Sequence, residues 1–212
     1  MKSVLIVANG QKNSKAFLTR LIKETDFVIG VDGGAGVLLQ YRLKIDAAVG
    51  DFDSIGKILF KKLRDSKVPI RKFPADKDFS DTELAVRIAL KSGFDKFILT
   101  GMLGKRADHT LFNISVLLLL SKMNKEAVIK EEKEEIYIVK NSITIHTNVN
   151  DTISVYPITM RAKVAETKGL KYGIKNKLLK KASTLTLSNV AISDKVTISV
   201  SSGTVLIIRE KQ

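Results

Sequence analysis

Several short acidic or glycine-rich segments carry residue types that handle phosphate. Asp51 and Asp53 stand two apart in Gly50-Asp51-Phe52-Asp53-Ser54. In an extended segment that spacing sends both carboxylates to one side. Paired hard oxygen ligands suit Mg²⁺, which fills its remaining positions with water and phosphate oxygens. A turn rich in Asp and Gly, capping the helix that follows, would use the same residues. Asp78 and Asp81 flank Ser80, and Ser80 with Glu83 forms a capping box that opens a helix. The N-terminus of a helix favours phosphate through its unpaired N–H groups, and Lys77 is a candidate phosphate partner beside it. Helix-start chemistry alone is the simpler account of this segment. In Gly101 to His109, Arg106 sits in pliable backbone. Its guanidinium can hold phosphate through two parallel hydrogen bonds and offset charge developing in transfer. The alternative is a surface loop ending in an N-cap at Asp108. His109 reads as structural, packed at the helix start, and His146 as incidental. Asp32-Gly33-Gly34 departs from GxGxxG, and no Walker A motif occurs, which argues against a dinucleotide dehydrogenase and a P-loop kinase.

These segments share a place in the pattern of elements. Apolar runs at Val4–Ala8, Phe27–Val31, Ala47–Val49, Lys67–Phe73, Lys96–Thr100 and Ala127–Ile129 alternate with helical stretches. The helices include one capped by Ser14 and running to about Lys23, and one with Val37, Leu38 and Tyr41 on a face. A third, with Leu84, Val86, Ile88 and Leu90, ends near Gly93, and Leu111–Lys122 reads as a buried core helix. Strand-helix alternation predicts a parallel, Rossmann-like α/β sheet, whose ligands bind outside the carboxyl ends of its strands. The acidic loops fall at those ends. After about residue 135 the texture changes. Ile136–Ile138, Ile143–His146, Ile153–Val155, Leu185–Leu187, Val196–Val200 and Val205–Ile208 are short and β-branched, which predicts an antiparallel β-sandwich. The expected domains are residues 1–135 and 136–212.

Composition narrows the function. The chain has 212 residues, no cysteine and a net charge of +14. A disulfide framework and a thiolate metal site are therefore excluded. Residues 151–212 carry eleven Lys/Arg against four Asp/Glu, so +7 of the +14 lies there and neither half is a basic tail. Aromatic residues make up 6% and Trp is absent, which supplies few platforms for stacking on single-stranded nucleic acid. No apolar run has the length of a membrane span or signal segment. The expectation is a cytoplasmic enzyme with no nucleic-acid and no membrane partner.

Together the motifs resemble the thiamine pyrophosphokinase family across essentially the whole chain. The family's D-G-G-A-N corresponds to Asp32 to Gly36, and its G-D-F-D-S-I to Gly50 to Ile55. Its D-x-D-F-T-D-T/F-E-like segment corresponds to Asp76 to Glu83, and its G-x-L-G-G-R-x-D-H with a later Asn to Gly101 to Asn113. T-x-G-L-K-Y matches Thr167 to Tyr172, and S-N matches Ser188-Asn189. The resemblance implies transfer of pyrophosphate from ATP to the hydroxyethyl oxygen of thiamine, with Mg²⁺ as cofactor, in a homodimer. It implies metal ligands and catalytic residues at Asp51, Asp53, Asp78 and Asp81, with Arg106 also catalytic. ATP would meet Asp32, Gly33, Gly34, Lys77, Ser80, Arg106 and Asp108, and thiamine would meet Asp81, Ser188 and Asn189. This chain departs at Gly36, Lys77, Lys105 and Gly173-Ile174, where the family usually has Asn, an uncharged residue, Gly and Pro-Leu. Two rival readings are a diphosphokinase acting on another hydroxyalkyl heterocycle, such as a pterin, and a basic nucleic-acid-binding protein built on the same fold.

Overall fold

Continuous apolar runs become buried strands where helices cover both faces of a sheet, and the first half of the chain follows that rule. The computed structural model describes residues 1–73, 78–104 and 106–212, and the chain divides into units of residues 1–132 and 133–212. In the first unit the order is β1 (Ser3–Val7), α1 (Lys15–Lys23), β2 (Phe27–Val31), α2 (Gly33–Tyr41), β3 (Ala47–Gly50), α3 (Lys57–Asp65), β4 (Ile70–Lys72), α4 (Asp81–Lys91), β5 (Lys96–Thr100), α5 (Ala107–Lys122) and β6 (Glu126–Lys130). The strands lie in the order β6-β5-β1-β2-β3-β4, all parallel. The order reverses between β1 and β5, which makes their carboxyl ends the topological switch point of a doubly wound sheet.

Local chemistry sets the helix starts. Ser14 accepts a hydrogen bond from the Phe17 N–H and opens α1; Ser80 accepts from the Glu83 N–H and opens α4. The Glu83 carboxylate pairs with Arg87 at 2.7 Å. Two helices differ from expectation. In α4 the buried face is Thr82, Ala85, Val86 and Ala89, because small side chains let the helix lie close to the sheet; Leu84, Ile88 and Leu90 are only half-buried. Helix α5 starts at Ala107, four residues earlier than Leu111, and only one face is core. Val116, Leu117 and Leu120 are buried, whereas Leu111 and Phe112 are 66% and 73% exposed.

The second unit contains β7 (Glu134–Val139), β8 (Ser142–His146), β9 (Thr152–Pro157), β10 (Arg161–Lys168), β11 (Lys175–Lys180), β12 (Asn189–Val190), β13 (Lys195–Ser202) and β14 (Val205–Glu210). Its pairings are antiparallel, in the orders β12-β9-β14-β7 and β11-β10-β13-β8. Inward-facing residues from both sets share one core, among them Val139, Val155, Val164, Leu179, Ile198 and Ile207. This is the antiparallel β region expected from the alternating pattern.

Three segments of this unit differ from what the sequence pattern predicts. Leu185 and Leu187 are exposed, and residues 185–187 form a turn rather than a strand. Thr186 ties the turn to β9, accepting from the Val155 N–H and donating its hydroxyl to the Val155 carbonyl. Strand β10 escaped notice because register shifts between Lys163 and Glu166 break its alternation. Strand β11 escaped because only Leu179 of its six residues is buried.

Candidate active site

The end of β3 is built around Asp32. This residue follows β2 with φ 45° and ψ −122°, a conformation that costs a non-glycine residue strain. Its side chain does not cap α2. Instead, Oδ1 accepts the Phe52 N–H at 3.2 Å, and the Asp32 N–H donates to the Val49 carbonyl at 3.0 Å. The loops after β2 and β3 are thereby tied together. Gly50 has φ 145°, and a Cβ there would overlap Asp32 Oδ1. Gly33 and Gly34 are buried, and a Cβ on either would run into the Asn9 side chain or the Val7 carbonyl. Close approach of α2 to β1 explains these two glycines.

Asp51 and Asp53 do not lie in an extended segment, so the same-side argument from spacing fails. Phe52 is left-handed, with φ 64°, and Asp53 begins a 3₁₀ turn at Asp53–Ile55. The cause is local: Asp51 Oδ1 accepts the Asp53 N–H at 3.1 Å, the two-residue reach typical of Asx turns. Asp51 is half-buried and Asp53 is exposed. Asp78 and Ser80 are exposed, and Asp81 is half-buried in the first turn of α4. Among the described residues, no three His, Asp or Glu side chains are grouped closely enough to hold a metal ion, and the four aspartates therefore do not form a ready-made cage. Lys77, with Asp76 and Lys105, lies outside the described residues.

Arg106 and Asp108 form a two-pronged pair, Nη2 to Oδ2 at 2.6 Å and Nε to Oδ1 at 3.2 Å. Asp108 is not the N-cap of α5, a position held by Arg106; it lies in the first turn and accepts the His109 N–H. The Arg106 guanidinium, helped by that N–H, holds the Asp108 carboxyl down at about 2. His109 is exposed, not packed as expected, because the helix begins before it.

A buried carboxylate missing from the sequence reading organises the switch point. Glu131 is fully buried. It accepts the N–H groups of Gly101, Met102 and Leu103 at 3.1, 2.8 and 3.3 Å, and also bonds Asn13 Nδ2 at 2.6 Å and Thr100 Oγ1 at 3.2 Å. Burial pushes its carboxyl above the ordinary range against these donors. The loops after β1 and β5 are also joined by Gly10 N–H to the Gly101 carbonyl and Gln11 N–H to the Leu103 carbonyl. Beside them lies a cleft of about 130 Å³, lined in part by Asn9, Gln11, Lys12, Asn13 and Gln40. Asn9-Gly10 directly follows β1, so the carboxyl-end rule could have found this loop. Glu131, alone in a run of glutamates, carried no such signal.

The second unit has a larger cleft of about 470 Å³. Ser188 and Asn189 line it with Tyr172, Ile174, Lys175, Lys177, Leu185 and Leu187. Asn189 is buried and its amide is engaged: Oδ1 accepts the Tyr172 and Val190 N–H groups, and Nδ2 donates to the Tyr172 carbonyl at 2.7 Å. It therefore fixes the backbone of Tyr172 at the cleft wall. Ser188 is left-handed, with φ 56°, and its N–H is held by Ser154 Oγ at 2.9 Å. Sequence spacing had no means of pointing to Lys175 and Lys177, which are two among many lysines.

A doubly wound sheet with acidic loops at its carboxyl ends, followed by an antiparallel β unit with its own cleft, defines a two-part α/β enzyme with no P-loop. Comparison with known proteins makes the class specific. Residues 18–129 match the model of the thiamin pyrophosphokinase catalytic domain, and residues 140–205 that of the thiamin pyrophosphokinase vitamin B1 binding domain. A thiamine pyrophosphokinase of Bacillus subtilis is 32% identical over 99% of both chains. The crystal structure of thiamine pyrophosphokinase from Bacillus subtilis aligns over 100% of both chains with a TM-score of 0.87 and 28% identity. That of the yeast enzyme shares the fold at 19% identity, with a TM-score of 0.77 over 99% of this chain and 86% of that one. This chain is an enzyme of the thiamin pyrophosphokinase family.

Proposed function

We propose that the protein transfers an intact pyrophosphoryl group from Mg-ATP to the hydroxyethyl oxygen of thiamine, giving thiamine diphosphate and AMP, as a cytoplasmic homodimer. The observation that carries this reading is the Asp51–Asp53 loop at the carboxyl end of β3, tied to the Asp32 loop in a chain whose relatives share the fold from end to end.

The donor set fits a hard divalent ion. Mg²⁺ commonly takes one or two protein carboxylates and completes its shell with water and phosphate oxygens, so a preassembled cage of three or four is not needed. Asp51 and Asp53 are the proposed holders, with Asp78 and Asp81 approaching from the start of α4. When bound, the ion would neutralise charge on the phosphate oxygens of ATP. Arg106 would offset further charge on the phosphates. Its present partner is exposed Asp108, and exposed pairs exchange cheaply. The switch-point cleft beside Gln11 and Lys12 is the proposed seat for part of the nucleotide. In the second unit, Tyr172 and Ser188 would face the acceptor, with Asn189 holding Tyr172 in place. Positioning and electrostatics supply most of the acceleration in phosphoryl transfer; Asp78 or Asp81 is the candidate to receive the hydroxyl proton.

The test is direct. Purified protein with Mg-ATP and thiamine should form AMP and thiamine diphosphate in equal amounts, while a pterin alcohol should give no product. ADP in place of AMP, or preference for the pterin, would overturn the reading.

A further inference from the structure

The larger cleft carries a charge pattern that its proposed ligand does not explain. Its β11 wall carries Lys175 and Lys177, two apart in the strand, with left-handed Asn176 (φ 48°) between them. Leu179, further along the strand, enters the core at 2% exposure, and the two lysines, both exposed, line the cleft. The remaining wall is apolar or neutral, from Tyr172, Ile174, Leu187 and Ser188, and among the described residues no carboxylate lines the cleft. Glu166, the partner of Lys175 across the β10–β11 ladder, forms an ion pair with Lys168 at 3.5 Å.

Thiamine carries a permanent positive charge on its thiazolium ring. Two ammonium groups with no lining carboxylate repel such a cation, while the same groups attract a ligand that bears a diphosphate tail. Burying the aromatic part of either ligand against Tyr172, Ile174 and Leu187 contributes equally to both, so the lysines decide between them. We infer that Lys175 and Lys177 are specificity-determining residues that make this cleft bind the diphosphorylated, anionic form of its ligand more tightly than the free cation. The enzyme is therefore restrained by its own product at this site. This rests on the proposed function, since it takes the cleft as the thiamine subsite.

The test compares dissociation constants of thiamine and thiamine diphosphate on the full-length protein by calorimetry, without ATP. The unaltered protein should prefer thiamine diphosphate by roughly tenfold or more at low salt, and the preference should shrink as salt rises. Lys175→Gln with Lys177→Gln should bring the ratio close to one, chiefly by weakening thiamine diphosphate. Lys175→Arg with Lys177→Arg should retain it, and Lys195→Gln, which removes a cation from β13, should leave it unchanged. In turnover assays the double Gln variant should show a raised inhibition constant for product with a smaller change in KM for thiamine. Equal affinities in the unaltered protein, or a salt-independent preference, would overturn the inference even if the Gln variant fails to fold. Binding of neither ligand would instead overturn the proposed function.

Discussion

The two units treat buried carboxylates in opposite ways. In the α/β unit, the donors to Glu131 among the described residues include three backbone N–H groups, an amide and a hydroxyl. In the β unit, Arg209 lies between Asp151 and Glu135 at 2.6 and 3.0 Å, and Lys211 and Tyr137 complete the set around Glu135 at 3.0 and 2.6 Å. Burial raises each carboxyl. For Glu131 it prevails; for Glu135 and Asp151 the bonds and charges of their partners outweigh it, and both are lowered. A neutral cradle shapes a loop around a reluctant charge, whereas a paired cluster locks a scaffold. The aspartates of the β3 and α4 loops, in contrast, are exposed or half-buried.

This division can be broken in order of effect. Asp51→Asn should lower turnover by about 100-fold or more while leaving the melting temperature unchanged; steady-state AMP release and calorimetry check both. Near-normal turnover would remove Asp51 from the chemistry. Arg209→Met should do the reverse, costing about 3–5 kcal/mol of stability because two buried carboxylates lose their shared cation. Denaturant unfolding measures it.

A pH series sharpens the contrast. Glu135 and Asp151 are held below their ordinary values of 4.5 and 3.8, so their contribution is present above those values and fades as pH falls through the lowered ones. Glu131 is held above 4.5, so its contribution declines as pH rises through that range and is restored in acid. Amide protection between about pH 5 and 3 should therefore weaken in β14 before it weakens at Gly101–Leu103. Loss in the opposite order would reverse the assignment. The smallest effect is expected at the surface. Asp108→Asn releases Arg106, and should change KM for Mg-ATP by about threefold or less without shifting the melting temperature.

Sequence pattern captured what periodicity and capping encode. The Ser14 and Ser80 caps, the exact spans of β2 and β5, and the change to alternating strands in the second half all follow from local chemistry. It failed where tertiary context decides. Ala85 and Ala89 face the core of α4 although Leu84 and Ile88 are more apolar, because helix-to-sheet distance selects small residues. Leu185 and Leu187 are exposed, which no alternation reveals. The acidic loops were legible as loops, but not the Asx turn that redirects Asp51 and Asp53. The Asp32 tie and the Glu131 cradle join residues distant in sequence, and one sequence carries no record of such pairings.

The knot between Asp32 and Gly50 also constrains how this enzyme can change over generations. Any side chain at position 50 would collide with Asp32 Oδ1, and Asp32 in turn holds the Phe52 N–H. Shortening the residue at 32 would remove that overlap but not the strain, because a φ of 145° at position 50 disfavours any side chain. Position 50 should therefore stay glycine whatever residue stands at 32, while position 32 is free to vary only as far as the Phe52 N–H can find another acceptor.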